Sequence, residues 1–106
     1  MKEQIFNDAI DFYGVNYQTD IAIEEMSELS KALLKYRRKP SEENKRNILE
    51  EMADVQITLS QLRLIHIKND SDYSVFEKFF DDKVHRLSVN IDNEKKVQEL
   101  SNKIHL

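Results

Sequence analysis

Apolar residues recur along this chain at intervals of three and four, the spacing of helices rather than strands. Residues 3–13 carry Ile5, Phe6, Ala9, Ile10 and Tyr13 at that spacing and predict a first helix. Gly14 follows, at a C′ position where a left-handed backbone costs glycine little. A second helix is expected from about Thr19 to Arg38, capped by Thr19 or Asn16, with a stripe of Ala22, Met26, Leu29, Leu33 and Tyr36. Lys35, Arg37, Arg38 and Lys39 cluster at its C-terminal end, where cations complement the helix dipole, and Pro40 ends it. Ser41 is a good N-cap for a third helix that should continue to about Lys68. That helix carries two apolar stripes, one through Ile48, Met52, Val55, Leu59 and Leu62, the other through Leu49, Ala53, Ile57, Leu64 and Ile67. A helix apolar on two sides is usually buried on two sides, and in so small a chain the second side should meet another subunit. Residues 69–72 read as a turn, and Ser74 with Glu77 as a capping box for a fourth helix. Phe76, Phe79, Phe80, Val84, Leu87 and Ile91 would form its inner face. Residues 91–106 place Val97, Leu100 and Ile104 at helical spacing, as either a short fifth helix or a loosely ordered tail.

Composition supports an all-α class. One Gly and one Pro in 106 residues leave little turn material for strands. The length suits one domain, and a single small helical core would be marginal, which favours oligomerisation. A net charge of −4 argues against nucleic acid or an anionic membrane as the main partner and suits a cation-binding protein. With no Cys, disulfides and thiolate metal sites are excluded. The first residues mix acids among apolar positions and do not resemble a signal peptide, and no apolar run approaches membrane-spanning length. A cytoplasmic location is expected.

Two segments share a pattern. Glu25-Met-Ser-Glu28 lies on the second helix and Glu51-Met-Ala-Asp54 on the third, each placing two carboxylates one turn apart on one face. At about 100° per residue, Glu25 falls inside the arc of Ala22, Leu29 and Tyr36, and Glu28 at its edge. Glu51 falls between Leu62 and Ile65, with Asp54 at the margin, whereas Glu24 and Glu50 point toward solvent. Inward carboxylates are costly unless paired or bound to metal. Hard divalent cations prefer oxygen ligands, and Mg²⁺ also binds substrate phosphates. The alternative is a solvated acidic face or ion pairs, for which Lys31 and Arg63 are at hand. Lys31 would either neutralise phosphate or pair with Glu28.

The segments YGVNYQTDIAIEEMSELSKALLKYRR and NILEEMADVQITLSQLRLI are similar to the MazG-like family of the all-α nucleoside triphosphate pyrophosphatases, whose hallmark is ExxE followed after a spacer by ExxD. The similarity covers roughly residues 10–90 and the motif with its helical context is fairly specific. It implies a four-helix bundle completed by dimerisation, as a homodimer or tetramer, with an all-α domain over 1–90 and an extension over 91–106. It implies hydrolysis of (d)NTPs to monophosphate and pyrophosphate in nucleotide-pool housekeeping, with Mg²⁺, for which Mn²⁺ would substitute. Glu25, Glu28, Glu51 and Asp54 would be the metal and catalytic residues. Gln18 would contact substrate or simply face solvent, and Lys83 and Arg86 would meet the triphosphate or be ordinary surface cations. The chain departs from dCTP-preferring relatives in having no Trp. Tyr13, Tyr17 and Tyr36 would stack on a base or join the core. His66 falls on an apolar stripe and reads as packed, while His85 and His105 lack partners at metal spacing. The alternatives are a non-catalytic nucleotide- and metal-binding module and a structural helical oligomer.

Overall fold

The computed structural model describes residues 1–104, and among them every regular element is helical: α1 Lys2–Tyr13, α2 Val15–Arg38, α3 Glu42–His66 and α4 Asp70–Ile104. The chain divides into two compact units, Met1–Lys68 and a second beginning at Asn69. No described helix is long and apolar enough to cross a membrane.

In the first unit α2 and α3 pack along each other and α1 packs on both. The boundaries follow local chemistry. Gly14 serves both α1 and α2, with φ 93° and ψ 158° and its N–H donating to the Ile10 carbonyl at 2.8 Å. That backbone lies outside the left-handed helical well, in a region essentially reserved for glycine. Helix α2 therefore starts at Val15 rather than Thr19, and neither expected cap is used. Thr19 instead donates its hydroxyl to the Val15 carbonyl at 2.8 Å, inside the helix. Pro40 and Ser41 act as expected. Helix α2 stops at Arg38, and Ser41 Oγ accepts the Asn44 N–H at 3.1 Å to open α3. The Asn44 amide closes the connection by donating to the Lys39 carbonyl at 2.8 Å.

The interior of this unit follows the apolar stripes only in part: Ala22 of the α2 stripe is buried, while Leu29, Tyr36, Ile48, Val55 and Leu62 are half-buried. Ala22, Ala32 and Ile65 are its buried apolar residues, and beside them Gln18, Asn44, Thr58 and Gln61 are buried too. Leu49, Met52, Ile57 and Leu59 of α3 and Met26 and Leu33 of α2 are exposed. The α2–α3 seam is lined by small and polar side chains because α2 turns Gln18, Ala22, Glu25 and Ala32 toward α3. His66, expected to be packed, is exposed in the last turn of α3.

The second unit corrects two expectations. Ser74 does not cap α4, which begins a full turn earlier because the Asn69 side chain accepts the Asp72 N–H at 2.8 Å. Glu77 is engaged by the Tyr73 hydroxyl at 2.9 Å instead of turning back to a cap. There is neither a fifth helix nor a tail over the described part of residues 91–106. No Gly or Pro lies beyond Pro40, and α4 runs unbroken to Ile104, held on its surface by pairs such as Lys78–Asp82 at 2.8 Å. Helix α4 has no buried residue, and its expected inner face, Phe76 to Ile91, is exposed throughout. His105 lies outside the described residues.

Candidate metal centre

Two helices build the centre. Glu25 sits on α2 within the seam made by Gln18, Ala22 and Ala32. Glu51 and Asp54 sit on α3 on the line that continues to Thr58 and Gln61. These α3 positions follow at intervals of three, four and three, so all four share one helix face. One carboxylate oxygen from each of Glu25, Glu51 and Asp54 lies within 4.8 Å of the others, and all three residues are half-buried. Glu24 and Glu50 are exposed, as their helical phase predicts.

The electrostatics follow from that convergence. Burial raises the Glu25 carboxyl above its ordinary value, and repulsion from Asp54, Glu51 and Glu24 adds to it. Burial likewise raises Glu51, with repulsion from Asp54, Glu28 and Glu50. Like charges gathered at one spot disfavour ionisation, which is the second cause of the rise at Glu25 and Glu51. A donor set of carboxylate oxygens alone is what a hard divalent cation prefers, and such an ion would relieve the repulsion that the acids impose on one another. The residues present could therefore hold a hard divalent cation.

Glu28 stands beside this trio rather than in it. It is near enough to Glu51 to raise that carboxyl, and its own oxygen pairs with Lys31 Nζ at 3.5 Å. Both partners are exposed enough for the pair to be weak. Lys83 and Arg86 are exposed on α4, in the second unit.

A cleft of about 260 Å³ adjoins the acids, with Glu25 and Asp54 at its edge and Tyr13, Gln18, Thr58 and Gln61 among its walls. Gln18 is 6% exposed, so it is not the solvent-facing residue that its place in the first turn allows. Gln61 was missed in the sequence. Its signal was its phase, one turn beyond Thr58 on the face that carries Glu51 and Asp54. The rings of Tyr13 and Tyr17 stack with centroids 5.0 Å apart and planes 21° apart, while Phe12 meets Tyr13 edge-on. No family model matches the chain, and no curated protein or solved structure matches it.

Proposed function

We propose that the protein is a divalent-cation-dependent nucleoside triphosphate pyrophosphohydrolase, as its resemblance to the MazG-like family implies. The observation that carries the proposal is the meeting of Glu25, Glu51 and Asp54 oxygens within 4.8 Å, from two helices whose motifs are ExxE and ExxD. Glu25, Glu51 and Asp54 would hold Mg²⁺ or Mn²⁺, and Glu28 would join them by releasing Lys31. A bound cation would supply Lewis acidity and neutralise phosphate charge.

In the reaction a water oxygen bonds to the α-phosphorus, the bridge to the β-phosphate breaks, and monophosphate and pyrophosphate leave. One of the four carboxylates would also take the water proton. Lys83 and Arg86 remain the cations that the resemblance assigns to the phosphates, and removal of their charge would raise KM.

Self-association belongs to the same proposal. The exposed apolar residues of α3 and the exposed aromatic and aliphatic stripe of α4 are more than a monomeric surface ordinarily leaves uncovered. Covering them in a homodimer or tetramer would supply the apolar burial that the polar α2–α3 seam does not.

The test is pyrophosphate release in Mg²⁺ over standard and damaged (d)NTPs, with sedimentation run in parallel. Release of pyrophosphate by a dimer or tetramer is expected. No release with any nucleotide would end the enzyme reading. Cation and nucleotide binding without release would leave a binding module, and assembly without either would leave a structural oligomer.

A further inference from the structure

Helix α4 carries an apolar stripe that has a direction. Tyr73, Phe76, Phe80, Val84, Leu87 and Ile91 follow at intervals of three and four, so they share one face. They also repeat at eleven residues: Tyr73 to Val84, Phe76 to Leu87 and Phe80 to Ile91. Eleven residues make close to three turns, so the stripe runs nearly parallel to the helix axis for about five turns. Its members are between 39% and 60% exposed, and α4 has no buried residue. A helix draws most of its stability from packing its apolar face, so this face calls for a cover.

The stripe has a definite end. One repeat beyond it, Lys95, Gln98 and Asn102 occupy the same face. Val97, Leu100 and Ile104 fall roughly 180–240° round the helix from Ile91, on another side. A covering element therefore has to match residues 73–91.

Two asymmetries along this segment say what the cover is. The first half of the stripe is aromatic, with the Phe76 and Phe80 rings stacked 6.4 Å apart, and the second half is Val84, Leu87 and Ile91. Charge is divided in the same way. Residues 70–82 hold five acids and one Lys, whereas residues 83–95 hold three Lys or Arg and two acids. A copy of α4 laid parallel sets ring on ring and acid on acid. Laid antiparallel, it sets the bulky half on the slimmer one and the acidic half on the half with basic excess. Facing positions that pair large with small interdigitate, and complementary charge fixes register while like charge disfavours it. What the stripe needs in a partner is the stripe itself in reverse.

We infer that α4 is the surface by which two copies of this chain pair, antiparallel, about a two-fold axis midway between Tyr73 and Ile91. Tyr73 then lies opposite Ile91 of the partner subunit, and Phe80 opposite Val84 of the partner subunit. A two-fold axis makes each contact twice, so this surface closes on itself instead of chaining copies into a fibre. The pairing rests on the self-association proposed above and gives it one surface and one direction, and it stands apart from turnover.

Two experiments test this. The chain has no Cys, so an introduced thiol reports proximity without competition. Tyr73→Cys and Ile91→Cys chains are unfolded together in urea, refolded and oxidised, and their disulfides are identified by mass spectrometry. The two positions are about 27 Å apart along a helix, whereas a disulfide needs Cα atoms within about 7 Å. Disulfides joining a Tyr73→Cys chain to an Ile91→Cys chain should predominate. Disulfides between identical variants, or none, would overturn the antiparallel pairing.

The second experiment is sedimentation of the whole chain over a range of concentrations. Val84→Glu should raise the dissociation constant of the pair about 30-fold or more, the scale of a lost interface anchor. Gln98→Glu, on the same face but beyond the stripe, should leave it unchanged. A monomeric wild type, or a Val84→Glu chain as associated as wild type, would overturn the inference. Pyrophosphate release by a monomer would keep the enzyme reading and remove the pairing, and cross-linked pairs without release would do the reverse.

Discussion

The carboxyl of Glu25 on α2 lies against that of Asp54 on α3, two acids from different helices facing each other across one seam. In an ordinary helix pair that seam would hold Leu and Ile. Here it holds Ala22, Ala32, buried amides and half-buried carboxylates, and Leu49, Met52, Ile57 and Leu59 of α3 turn outward. Small side chains let the helices approach, and the approach brings acids of different helices into one place. The same arrangement that gathers the acids leaves the first unit short of apolar burial.

Glu51→Gln separates the two roles of that seam. The amide keeps the shape of the side chain and removes one negative charge from a cluster that repels itself. Turnover should fall by about 100-fold or more, the scale on which loss of a charge-stabilising group is felt. Mg²⁺ binding by calorimetry should weaken in parallel. The metal-free variant should melt at the same temperature as wild type or higher. A large fall in its metal-free melting temperature would mean that Glu51 is a structural ion-pair partner and not a ligand.

The pH dependence has a definite sign. Glu25 and Glu51 have folded values above their ordinary 4.5. Between those raised values and 4.5 the folded chain holds more protons than the unfolded one. Their contribution to stability therefore rises as pH falls through that window and is complete below 4.5. The lowered Asp82 carboxyl acts below 3.8 and the raised Lys78 amine above 10.5, so neither enters the window. The useful measurement is the difference in melting temperature between metal-free wild type and Glu51→Gln. Wild type should be the less stable at pH 7, and the gap should close as pH approaches 4.5. A gap that stays constant would show that the charge of Glu51 is not what separates them. Added Mg²⁺ competes with these protons, so its stabilisation should be greatest at pH 7 and fade on acidification.

Helix class and the inward direction of Glu25 and Glu51 were legible because both depend on a periodicity of 3.6 residues, which a sequence displays directly. The C-terminal end of α1, the Ser41 cap and the stop before Pro40 were legible because one residue decides each of them. The start of α4 was not, since Asn69 and Ser74 are both good caps and the choice turned on which side chain reached a free N–H. Nor was the interior. Hydrophobicity says which faces of α3 are apolar, but not which face its neighbour inside the chain will take. Here α2 took the polar face, which is why Gln61 escaped notice and Met52 and Leu59 lie exposed.

The Asn69 side chain supports α4 by accepting the Asp72 N–H, so the effect of its removal should be local. Asn69→Ala loses the acceptor for the Asp72 N–H, a change that costs about 1 kcal/mol at a helix N-cap. Hydrogen exchange of the amides in the first turn, Ser71 to Tyr73, should speed up by about fivefold, the equivalent of that energy. Exchange in α2 and α3 should be unaffected. Ser74→Ala, which lies inside the helix, should leave the first turn as protected as in wild type. Equal fraying in both variants would return the cap to Ser74.

Gly14 isolates a purely conformational effect. A Cβ added there meets nothing within 4 Å, so Gly14→Ala introduces no clash with its surroundings. The backbone at φ 93° and ψ 158° is nevertheless hostile to an L side chain. Holding a residue there costs about 1–3 kcal/mol, and Gly14→Ala should destabilise the first unit by that amount in urea melts. A D-alanine in the same place, introduced by chemical synthesis of the chain, has the mirror-image preference and suits this backbone. It should raise stability by about 0.4–1 kcal/mol by narrowing the unfolded ensemble. Opposite signs for the two stereoisomers at an open site would show that the α1–α2 joint, and with it the placement of Gln18 one turn later, is fixed by backbone geometry alone. Equal loss in both would instead point to a steric role for the missing side chain.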